Sequence, residues 1–172
     1  MDQLVEQGVD TKQIDIRTIG KVSPETVTCV NETVEGVFRR MNYKGEPPEV
    51  VSISQGAVVL PSGEEIEACY SIDINKKLKP GKILISTELS KKAFGESYIP
   101  TEIATAAFVA HEAVHHVNHM RGKEQLMSGS RIPTDIHALS KTEQEANQIA
   151  REVIENLYGL TVYFGDETPP LT

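Results

Sequence analysis

The stretch FVAHEAVHHVNHM, residues 108–120, carries four of the chain's five histidines, and its phase constrains the fold around it. At about 100° per residue on an α-helix, Ile103, Ala107, Ala110, Val114 and Val117 form one apolar stripe. Phe108, His111, His115 and His119 form a second stripe, roughly 100° round from the first. Glu112 lies at the far edge of that second face. A helix over about Thr101–Met120 must bury its first stripe and set its histidines along the border of the core, as the wall of a cleft.

His111-Glu112-Ala113-Val114-His115 has the form HExxH. Side chains at i and i+4 stand one above the other on a helix, so two imidazoles can grip one ion. Ordinary residue frequencies make a chance occurrence in a chain of this length well under about 1%. Two histidines do not complete a catalytic zinc site, which takes three protein ligands and keeps one position for water. His119 cannot be the third on a straight helix. It lies about 12 Å along the axis from His111, and metal–nitrogen bonds are only about 2 Å.

A second helical stretch offers the missing ligand. Leu139, Ala146, Ala150, Val153 and Leu157 form its apolar stripe, and Glu143 falls within about 50° of the stripe's centre. A carboxylate there is costly unless something pairs with it. Glu145 projects to the other side, and Asn147 sits at the edge of Glu143's face. The alternative for Glu143 is a capping box, Ser140-Lys141-Thr142-Glu143, if the helix begins late. Ile136 and Leu139, with Thr134 or Asp135 as a cap, argue for an earlier start. His116 points away from the proposed site and reads as a solvated surface histidine. His119 reads first as a packed side chain.

The remainder of the chain frames this pair of helices. Its 172 residues suit one domain spanning 1–172. A hydrophobic content of 39% with 24% charged residues places it among soluble globular chains. Trp is absent, so the core rests on Val, Ile, Leu and Ala. The net charge of −8 argues against a nucleic-acid partner, which needs a basic footprint, and against an anionic membrane surface. Met1–Asp10 lacks the basic and apolar regions of a secretory signal, and no apolar run is long enough to span a bilayer. Cys29 and Cys69 therefore read as buried free thiols, and the expected location is cytoplasmic.

Residues 1–20 have no clear period and read as partly mobile. Ser23-Pro24-Glu25 is a helix start, followed by Val27, Val30, Val34, Val37 and Met41 at helical spacing to about Asn42. Val50–Ser54, Ala57–Leu60, Ile66–Ile74 and Lys82–Ser86 read as strands. In the third, Ile66, Ala68, Tyr70, Ile72 and Ile74 face the core, and Glu67, Cys69, Ser71 and Asp73 face away. A short helix is expected over Thr87–Phe94, and Gly159 is the stop of the last helix at Tyr158. Residues 160–164 read as a final strand and 165–172 as a tail. The class is α+β, with a small, mostly antiparallel sheet packed against the histidine helix and the second long helix.

HExxH followed by a helix carrying Glu143-Gln144-Glu145-Ala146-Asn147 resembles the glutamate-type zincins, the gluzincins, and most closely the ImmA/IrrE-like metallopeptidases. The resemblance covers about residues 82–158. It implies a zincin-like fold, one zinc ion per chain held by His111, His115 and Glu143, and Glu112 as general base. By analogy with thermolysin it also implies a hydrogen bond from Asn147 to His111. The chain departs from the pattern at Val114, where many members have Gly, and at His116, where the residue is usually apolar.

The chemistry so implied is peptide-bond hydrolysis. Zinc lowers the pKa of its bound water, and Glu112 takes a proton from that water and passes it to the leaving amine. His119, His137, Tyr70 and Tyr98 are the candidate donors to the oxyanion. If the strand Lys82–Ser86 is an edge, a peptide or protein substrate can pair with it. Lys82, Lys91 and Lys92 read as solvated charge. One alternative is a zincin-fold metal-binding regulatory or interaction protein with little peptidase activity. Another is a metal-free helical interaction domain whose histidines respond to pH.

Overall fold

Ser23 opens the first helix as its chemistry requires. Its Oγ accepts a hydrogen bond from the Thr26 amide at 3.1 Å, and Pro24 takes the first helical position. In the computed structural model, which describes residues 15–19, 23–53, 56–59, 63–71, 80–93, 99–122 and 141–164, this helix is α1, Pro24–Arg40. It follows strand β1, Asp15–Ile19. Next come β2 (Glu49–Ile53), β3 (Val58–Val59), β4 (Glu65–Ile66), β5 (Ala68–Ser71) and β6 (Lys82–Ser86). Helices α2 (Thr87–Ala93), α3 (Thr101–Met120) and α4 (Lys141–Tyr158) complete the described elements. No described helix is long and apolar enough to cross a membrane.

The class is α+β, as expected, but the sheet is mixed rather than mostly antiparallel. Its order is β1-β2-β6-β5. β1 runs parallel to β2 and β2 parallel to β6, and only β5 opposes β6. β3 and β4 form a separate antiparallel pair. The reason lies in the connections. α1 carries the chain from β1 back to the start of β2, and the excursion through β3, β4 and β5 does the same between β2 and β6. Lys82–Ser86 is therefore an interior strand, so the expected pairing of a peptide with its edge does not hold.

Further expectations are corrected in the strands. Within residues 1–20, Asp15–Ile19 is a strand, whose Ile16, Thr18 and Ile19 supply β-branched residues. Residues 160–164 form no strand. The expected strand Ile66–Ile74 is broken at Glu67, and its last residues, 72–74, lie outside the described set. The break matters for Cys69. It is buried with Val58 and Ile66 beneath the β3–β4 pair, where alternation placed it among polar residues. Neither cysteine forms a disulfide, and Cys69 is buried and Cys29 half-buried.

The main core lies between the sheet and the long helices. Val50, Ile83, Ile85, Ala68 and Tyr70 meet Val30, Val34 and Val37 of α1 and the alanines and valines of α3. α4 closes the far side with Ala146, Ile149, Ala150, Val153 and Ile154. α1 and α4 approach closely at Gly36, where an added Cβ would lie 2.9 Å from Val153 Cγ1. α3 is thus packed on all sides, and every residue from Val109 to His119 is buried. Ala104, Ala106, Ala107, Ala110 and Ala113 supply the small surfaces that permit this. Gly159, at φ 73°, ends α4 where expected.

Candidate metal centre

α3 and α4 lie side by side, and their facing surfaces carry the site. His111 and His115, one turn apart on α3, turn their rings toward α4 with centroids 4.9 Å apart. Glu143 answers from the first turn of α4. There the partial positive charge of a helix N-terminus favours an ionised carboxylate. Its Oε1 lies 2.9 Å from His111 Nε2, and its Oε2 lies 2.5 Å from His115 Nε2. All three residues are buried, Glu143 to 2% exposure. One ligand atom from each falls within 4.8 Å of the others, a grouping able to hold a metal ion.

The spacing fits a small cation. The two Nε2 atoms are 3.3 Å apart. Ligands at about 2 Å from a tetrahedral centre are separated by about 3.3 Å. Helical phase separates the glutamates as expected, because Glu143 is buried and Glu145 is exposed. Glu145 accepts a hydrogen bond from Asn118 Nδ2 at 3.0 Å, a further tie between the helices. α4 is described from Lys141, and Ser140, the cap of the capping-box alternative, lies outside the described residues. The earlier start at Thr134 or Asp135 falls outside the described residues.

Glu112 is 6% exposed beside the cluster, and no described residue forms a hydrogen bond or ion pair with its carboxylate. Asn147 is buried one turn beyond Glu143. Its Oδ1 and His111 Nδ1 are both buried without a hydrogen-bond partner, so the expected bond between them is not formed. Phe164 stands against His111 instead, with ring centroids 5.4 Å apart. Sequence reasoning missed this contact. The only signal for it was the aromatic pair Tyr163-Phe164 at the end of an otherwise ordinary segment.

The expected solvated role of His116 is overturned, because the residue is fully buried. Its Nε2 lies 2.7 Å from the Glu46 carbonyl, and its ring stacks on Phe38. A carbonyl only accepts, so His116 carries its proton on Nε2 and offers Nδ1 as an acceptor. Burial holds its pKa down at about 4, which keeps it neutral. The Tyr70 hydroxyl, 2.8 Å from that Nδ1, must then donate to it. The Tyr70 oxygen in turn accepts from the Gly81 amide at 2.8 Å and from His119 Nδ1 at 2.9 Å. A Cβ at residue 81 would lie 2.6 Å from this hydroxyl, so only glycine allows the approach. Of the four candidate oxyanion donors, Tyr70 commits its single proton to His116, and His119 is packed against Tyr70. Tyr98 and His137 lie outside the described residues.

No protein-family model matches this chain, and no curated protein matches it either.

Proposed function

We propose that the chain is a zinc-dependent metallopeptidase of the glutamate zincin type, resembling the ImmA/IrrE-like group, with peptides or proteins as substrates. The observation that carries this reading is the burial of two imidazole nitrogens and one carboxylate within reach of a common ion, supplied by two different helices. The donor set favours zinc. Two imidazoles and a carboxylate are a known catalytic zinc set, whereas calcium and magnesium take oxygen ligands.

The orphaned atoms support the same conclusion. With Glu143 accepting from both Nε2–H groups, His111 Nδ1 is a bare acceptor, and Asn147 Oδ1 is an acceptor too. A cation at Nε2 would leave the imidazole proton on Nδ1, turning that buried bare acceptor into a donor. Zinc held here supplies Lewis-acid polarisation of the scissile carbonyl and acidification of a water molecule. Glu112 then accepts a proton on its carboxylate and returns it to the leaving amine. The burial of Glu112 restricts competing solvation, and no bond to a described residue occupies its oxygens.

Elemental analysis tests the reading, with about one zinc per chain expected and the metal lost in His115→Ala. Glu112→Gln should keep the ion and abolish cleavage of an unfolded protein substrate. Undiminished cleavage by that variant removes the proposed enzyme. A parent chain that holds zinc and cleaves nothing leaves only the metal-binding alternative.

A further inference from the structure

The segment after α4 returns along the helix toward the metal cluster. Gly159 turns the chain. Thr161 Oγ1 donates to Glu155 Oε2 at 3.2 Å, and Arg151 Nε donates to the Val162 carbonyl at 3.0 Å. The Arg151 guanidinium also lies over the Tyr163 ring, 4.6 Å from its centroid. Thr161 thus meets Glu155, Val162 and Tyr163 both meet Arg151 one turn earlier on α4, and Phe164 arrives against α3. It is 5% exposed, edge-on to Phe108 at 5.3 Å and tilted 51° against His111 at 5.4 Å.

We infer that Phe164 is a positioning residue for the first histidine of the metal site, and that residues 160–164 are a strap whose function is to deliver it there. This rests on the metal-site reading above. The ring orientation of a ligating histidine is ordinarily fixed by a hydrogen bond at its second nitrogen. Here that nitrogen, His111 Nδ1, has no partner. The surfaces that confine the His111 ring are aromatic: His115 on one side, at 71° between planes, and Phe164 on another. Phe164 also excludes water from the flank of the site, which strengthens the attraction between a cation and its ligands.

Zinc affinity, measured by competition with a chromogenic chelator on the folded full chain, tests the assignment. Phe164→Ala should weaken zinc binding about tenfold, the low end of what the loss of a supporting contact costs a metal site. Val58→Ala, which opens a cavity in the separate cluster beneath β3 and β4, away from the strap, should leave affinity unchanged. Phe164→Leu serves if the alanine variant does not fold. It keeps an apolar filling, and should still weaken zinc binding and remove the ring-current shift of the His111 ring protons. A parent chain that takes up no zinc sinks the metal reading and this inference together. Zinc binding as tight in the Phe164 variants as in the parent overturns this inference alone, as does equal weakening by Val58→Ala.

Discussion

His116 sits in the core as a neutral imidazole because burial disfavours its charged form, with His119 opposing a second charge and the Glu46 carbonyl acting the other way. Tyr70 from β5, His119 from α3, Phe38 from the last turn of α1 and Tyr43 from the segment after it surround it. The sign of the resulting pH dependence follows from its two states. Above about pH 6.5 both folded and unfolded chains hold it neutral. Between 6.5 and about 4 the unfolded chain takes up a proton that the folded chain refuses, so stability falls as pH drops through that window. The full loss is on the order of 3 kcal/mol. Urea midpoints should fall less on acidification in His116→Gln than in the parent, and equal slopes would show that the ring is already charged in the folded chain. Helical phase identified His111, His115 and Glu143 because a polar group on or beside an apolar stripe is conspicuous. It misplaced His116 because phase reports one helix's own pattern, and the groups that enclose His116 come from β5 and α1. The same comparison of faces gives a second test. Glu143→Ala should abolish zinc retention, whereas Glu145→Ala should retain it and cost about 1 kcal/mol through the lost Asn118 bond.

The helices were legible in the sequence because caps and periods are local. Ser23, Pro24 and Gly159 mark boundaries that the structure reproduces. Strand segments were legible too, but their partners were not. Lys82–Ser86 reads the same whether it lies at an edge or between β2 and β5, and nothing local reveals that two connections bring β1, β2 and β6 into parallel. Asp15–Ile19 went unrecognised because five residues with a charge in the middle give too short a pattern to separate from a loop. Helix packing was equally hidden, since Gly36 looks like a weak point in α1 until Val153 is set against it. Gly36→Ala gains about 1 kcal/mol of helix propensity, but it inserts a methyl where only 2.9 Å is open, at a cost of about 1–3 kcal/mol. Thermal unfolding should show a lower midpoint for Gly36→Ala, recovered when Val153→Ala is added. A single substitution as stable as the parent would mean that α1 and α4 separate without cost.

Across the whole molecule, the site joins two helices that the chain reaches some distance apart in sequence. His111 and His115 ride on α3, which is gripped by α1, the sheet and α4. Glu143 rides on α4, whose ties to the rest run through α3 and α1. An ion held by both helices therefore acts as a cross-link that only the folded chain can form, and its binding energy adds to folding. The linkage is quantitative. Zinc at about 100 times its dissociation constant should stabilise the fold by about 2.7 kcal/mol. The added protection should appear at the paired turns rather than evenly, because among the described elements α3 packs against α1, α2, α4 and the sheet, whereas α4 packs mainly against α3 and α1. Hydrogen exchange should slow most in the first turns of α4 when zinc is added, and a chelator should reverse it. His115→Ala should show neither the thermal shift nor the slowed exchange. A thermal shift that persists in that variant would place the bound ion elsewhere on the chain, and α3 and α4 would then be a helix pair held by packing alone.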